Sequence, residues 1–66
     1  MATELTELEK SVLKLLGQGD TNKEIQAKLM IPVAKLRKIK KESVVKLGAR
    51  NSIHAVVLAV SQKLID

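Results

Sequence analysis

Residues 21–48 read TNKEIQAKLMIPVAKLRKIKKESVVKLG, and this stretch predicts two helices joined by a tight break. Thr21 and Glu24 are spaced as a capping box, in which side chain and backbone satisfy each other at a helix start. Ile25 and Leu29 then recur on one face. The short helix stops at Met30-Ile31-Pro32, because the residue before a proline is pushed out of the α region. A longer helix starts at Pro32 or Val33, where a proline's missing N–H would be unpaired anyway, and runs to Leu47 before Gly48 terminates it. A short helix, a break and a longer basic helix make a helix-turn-helix layout, in which the second helix of the pair enters the major groove and the first crosses the backbone.

Working outward, Thr6 and Glu9 form a second capping-box pair, followed by Leu8, Val12, Leu15 and Leu16 at helical spacing, with Leu5 and Leu13 beside them. Gly17 and Gly19 end this helix, since glycine accepts left-handed backbone. After the longer helix, Asn51 or Ser52 can cap a fourth one reaching Leu64. The expectation is an all-α, compact four-helix domain spanning residues 1–66, with helices at about 6–17, 21–30, 33–47 and 52–64 and no strand, repeat or low-complexity linker.

The charge is concentrated. Of the formal net +5 of this 66-residue chain, residues 1–31 contribute −1 and residues 51–66 contribute nothing, whereas residues 32–50 contribute +6. Such a focus of cations attracts a polyanion, through counterion release. On a wheel of about 100° per residue, Val33, Leu36, Ile39, Val44 and Leu47 fall on one side of the third helix. Lys35, Arg37, Lys38 and Lys41 fall on the other, with Ala34, Val45 and Glu42 among them, Ala34 and Val45 serving as small spacers. Arg37, which can bond guanine O6 and N7 together, is the first candidate for a base contact, and Lys38 and Lys41 on the same face come next. Lys35 and Lys40, nearer the edges, suit phosphates, as do Arg50 and the amides opening the second helix at Thr21, Asn22 and Lys23.

Other classes fit poorly. The chain has no cysteine and no aromatic residue, which removes disulfides, thiolate metal sites and the stacking platforms that hold single strands. No apolar run approaches the ~20 residues of a membrane span. The start, Met1-Ala2-Thr3-Glu4, lacks the basic-then-apolar layout of a secretory leader, and a cytoplasmic location is expected. His54 stands alone and reads as an ordinary helix residue. Glu4, Glu7 and Glu9 complement the first helix's N-terminal dipole. No residue set resembles an active site, so the chain is expected to be no enzyme and to need no cofactor or metal.

The fourth helix carries more apolar surface than one face uses. Ile53, Val56, Val57, Val60 and Leu64 form a stripe for the core. Leu58 and Ile65 lie opposite with Ala55 and Ala59 between, and Ala55, Leu58 and Ile65 are the expected interface of a homodimer that would present two recognition helices to a palindromic site.

Leu5-Thr6, Glu9, Val12-Leu13, Leu15-Leu16, Gly19, Asn22-Lys23-Glu24-Ile25, Leu29, Ile31, Lys46-Leu47-Gly48, Arg50-Asn51 and Ala55-Val56 together resemble the LuxR-type (GerE-like) helix-turn-helix domain over nearly the whole chain. The resemblance implies a bacterial transcription regulator of four helices, the third reading DNA and the fourth forming a dimer contact. At the start of the third helix the family's Ser-x-x-Thr-Val-Lys-x-His stands here as Pro32-Val33-Ala34-Lys35-Leu36-Arg37-Lys38-Ile39, and Ser43 replaces a large apolar residue. Arg37 keeps the family's cation, while Pro32 and Lys35 remove two hydroxyls. The competing reading is a protein-interaction module that pairs with a full-length LuxR-type regulator and modulates it without binding DNA. A basic helix lying on an anionic membrane is weaker, because packing leaves the third helix no wide apolar face.

Overall fold

The computed structural model describes residues 5–65; Met1, Glu4 and Asp66 lie outside them. Among the described residues there are four helices, α1 (Glu7–Gly17), α2 (Asn22–Leu29), α3 (Val33–Leu47) and α4 (Ser52–Ser61), and no strand. Both capping boxes form. Thr6 accepts from the Glu9 N–H at 3.1 Å while the Glu9 carboxylate accepts from the Thr6 N–H at 2.8 Å, and Thr21 and Glu24 repeat the exchange at 3.2 and 2.7 Å. These local exchanges satisfy amides that a helix start otherwise leaves open.

α1 bridges two apolar clusters through adjacent residues. Val12 packs with Ile25, Leu36 and Ile39, which seats α2 and α3. Leu13 packs with Leu5, Ala55 and Ala59, which seats α4. Leu36 and Ile39 are buried, so the roll of α3 about its axis is set by its inner side and its opposite side is left outward. Ser43 is fully buried on that inner side and returns its hydroxyl proton to the Ile39 carbonyl at 2.9 Å. The departure from a large apolar residue therefore leaves no unpaired polar group.

Two boundaries differ from expectation, and one glycine does more than expected. Pro32 is the N-cap of α3 rather than a residue of its first turn, and it supplies no side-chain cap. Gly17 is the last helical residue of α1, as expected, and it is also a contact. A Cβ there would stand 3.1 Å from the Val56 Cγ1, so this glycine lets α1 and α4 approach closely; the left-handed exit belongs to Gly19 at φ 91°. α4 stops at Ser61, three residues before the expected Leu64. Lys63 turns left-handed at φ 59°, and the Leu64 N–H donates back to the Ala59 carbonyl at 2.8 Å. This closure folds Leu64 and Ile65 onto the α1–α4 cluster.

The turn of the helix-turn-helix is made by Met30, left-handed at φ 56° and 89% exposed. A side chain there carries strain that glycine does not. Met30→Gly is expected to raise the unfolding free energy by about 0.5–1 kcal/mol, the gain being trimmed by glycine's freer unfolded chain. Urea unfolding of the two proteins checks this, and an unchanged or lower midpoint would count against strain at Met30.

Candidate nucleic-acid interface

With Leu36, Ile39 and Ser43 inward, the outer side of α3 carries Lys35, Arg37, Lys38 and Lys41, all exposed. No other helix covers them, and they share the surface with the exposed Ala34 and Val45. The expected base readers and Lys35 are thus gathered on one uncovered cationic face. The α3 amides at Val33, Ala34 and Lys35 have no side-chain cap, so the positive end of the helix dipole opens on the same face.

At the edge toward α2, Lys40 and Asn22 meet. The Lys40 ammonium donates to the Asn22 side-chain carbonyl at 3.1 Å, joining two expected phosphate holders across the helix-turn-helix. The Asn22 amide group and the Asn22 and Lys23 backbone N–H groups remain outside the α2 hydrogen-bond ladder. Thr21 is different: its N–H is taken by the Glu24 carboxylate and its oxygen accepts from the Glu24 N–H. Only its hydroxyl proton is left for an anion, which narrows the expected role of Thr21. Asp20, which would repel a phosphate nearby, is held by Lys28 at 2.6 Å. The hydrogen bond to Asp20 raises the Lys28 pKa, with desolvation opposing it and the Asp20 and Glu24 charges adding to it.

Arg50 is exposed in the connection between α3 and α4. Its backbone N–H donates to the His54 Nδ1 at 3.0 Å, and the His54 N–H donates to the Asn51 side chain at 2.8 Å. His54 is therefore a cap residue that shapes the connection carrying Arg50. Among the described residues no group of three His, Cys, Asp or Glu could hold a metal ion, and no helix is long and apolar enough to cross a membrane.

Glu9 was expected to share a capping box with Thr6 and to complement the α1 dipole, but it does more. The residue is 2% exposed, and its carboxylate accepts from the Lys46 ammonium at 2.7 Å as well as from the Thr6 N–H. Burial pushes its pKa up, yet the Lys46 hydrogen bond, the Thr6 amide and the Lys46 charge outweigh that and hold it below the ordinary 4.5. The pair ties the last turn of α3 to the first turn of α1. Beside it, an open groove of about 880 Å³ lies between the α1 N-terminus and the outer flank of α3, with Leu8, Ala34, Ile39 and Val45 as its apolar lining.

The α4 faces are largely reversed from expectation. Ala55 and Ala59 are fully buried, so Ala55 cannot reach a second chain. Ile65 packs against the α1–α4 cluster, and Leu58 is half-buried. The outward apolar residues are Ile53, Val57 and Val60, at 64, 58 and 47% exposure. Ala55 and Ala59 pack with Leu13 of α1, and Val56 faces Gly17; Val56 and Leu64 of the expected core stripe do pack on this cluster, while Ile53, Val57 and Val60 point outward.

Residues 3–59 match the family model described as bacterial regulatory proteins, luxR family. No curated protein matches the chain significantly.

Proposed function

Because the chain belongs to the luxR family of bacterial regulatory proteins, whose shared domain is a DNA-binding helix-turn-helix, we propose that it is a sequence-specific regulator of transcription with α3 in the major groove of duplex DNA. The observation that carries this reading is the uncovered outer side of α3 with Arg37, Lys38 and Lys41 exposed together. In this reading those three meet base edges, and Lys23, Lys35, Lys40, Arg50 and the open α2 amides hold phosphates. Two copies pair through Ile53, Val57 and Val60 of α4, which would present two recognition helices to a two-fold site. Sedimentation checks the pairing: a monomer both free and on bound duplex, with Val57→Asp behaving as wild type, would remove it.

Four phosphate-holding cations per chain predict a log–log salt slope near −3.6, so raising salt from about 50 to about 200 mM weakens binding roughly a hundredfold. Fluorescence anisotropy with a labelled duplex measures it, and a slope shallower than about −1 would sink the reading. The second reading, a module that pairs with a full-length regulator, draws on the same exposed α4 residues. It is favoured if no duplex binds at low salt while such a partner is still captured.

A further inference from the structure

Among the described residues, the Val45 side chain is not part of the packed core. It is 72% exposed, belongs to neither apolar cluster, and as a β-branched residue lowers the helix propensity of its own turn. It is also not placed at random. On α3, Ala34, Lys38, Lys41 and Val45 follow at i, i+4, i+7 and i+11, an arc of about 60° on the helix wheel, and all four are exposed. A straight stripe with an apolar group at each end and two ammonium groups between runs along the middle of the outer side of α3.

Accepting α3 in the major groove, we propose that Ala34 and Val45 each read the 5-methyl group of a thymine. That methyl is the apolar feature the groove floor presents, and short aliphatic side chains are its usual partners. The ammonium groups of Lys38 and Lys41 and the Arg37 guanidinium meet purine acceptors between the two methyls. Eleven residues of helix span about 16 Å, which corresponds to at most about five base-pair steps at 3.4 Å each. Each half-site therefore carries a thymine near either end of a window of that length, with guanine-rich positions inside it.

Duplexes selected by the full chain from a randomised pool supply the test. Each thymine of the selected site is replaced, one at a time, by deoxyuridine, which lacks only the methyl. Two positions are expected to lose about fourfold in affinity, the effect of burying one methyl group. In Val45→Ser the loss at one of them disappears, and in Ala34→Gly the loss at the other. Circular dichroism confirms that both variants fold, and both sites are exposed. Deoxyuridine tolerated within twofold everywhere, or both losses surviving in both variants, would overturn the thymine assignment and leave duplex binding standing. Failure to select any duplex overturns it together with the placement of α3.

Discussion

Glu9→Ala is expected to lower the unfolding free energy by about 2–3 kcal/mol, a large share of what a domain this small possesses. Two losses add. The Thr6 N–H loses its acceptor and the α1 capping box is halved, which costs about 1 kcal/mol. The Lys46 ammonium, whose side chain is 30% exposed, loses a carboxylate that is 3% exposed. Breaking a buried pair from one side costs about 3–5 kcal/mol, but Lys46 is partly exposed and can turn its head to water, so this loss falls below that range, at about 1–2 kcal/mol. Glu9→Gln keeps an oxygen for Thr6 and loses only the charge, so it should cost about half as much. The pH dependence has a definite sign. The folded pKa of Glu9 lies below its ordinary 4.5, so its stabilisation is fully present above about 4.5 and is lost as pH falls through the lower folded value. Urea midpoints measured from pH 6 to pH 3 should fall more steeply for wild type than for Glu9→Gln. Parallel curves would mean that the Glu9 carboxylate gains nothing from Lys46.

The same pair marks where reading along the chain stops. The two capping boxes were legible because each is an exchange between residues three apart, and such exchanges depend on little beyond the local helix start. The helix order and the break at Ile31-Pro32 were legible for the same local reason. The family resemblance agrees with the matched residues 3–59. Glu9 and Lys46 are 37 residues apart, and no spacing rule links them; only the crossing of α1 and α3 brings the ammonium to the carboxylate. α4 failed differently. The apolar stripe put Ile53, Val56, Val57, Val60 and Leu64 inside, whereas Ala55 and Ala59 are the fully buried residues of α4 and only Val56 and Leu64 of that stripe pack on the core, Val56 in close approach to Gly17. The glycine that signals this approach was visible, but a glycine near a helix end reads as a terminator before it reads as a contact. For the candidate DNA-facing side, the wheel put Leu36 and Ile39 inside and the cations outside, as the structure has them, but Val33, expected on the inner side, is 42% exposed. It did not show that the Thr21 amide is already used by Glu24 or that Lys40 reaches Asn22.

Arg37→Ala is expected to weaken binding to the preferred duplex by about 1–3 kcal/mol, roughly 5- to 150-fold, and to relax selectivity at a single base pair. Arg37 is the lone guanidinium of α3 and is exposed on its outer side, so it alone there can make the paired, planar contact to guanine O6 and N7; lysine contributes a point charge. Lys35→Ala removes a cation from the flank of the same helix. It should weaken all duplexes alike by a few-fold and reduce the salt slope by about 1, because a phosphate contact carries charge but no sequence information. Neither side chain belongs to an apolar cluster, so both variants should unfold at the wild-type midpoint and their binding losses cannot be attributed to stability. The informative quantity is the ratio of affinities for selected and scrambled duplexes at fixed salt. It should collapse for Arg37→Ala and stay constant for Lys35→Ala. Equal losses on both duplexes in both variants would make α3 a nonspecific cationic face and remove Arg37 as a base reader, while leaving the phosphate-holding role of the basic residues intact.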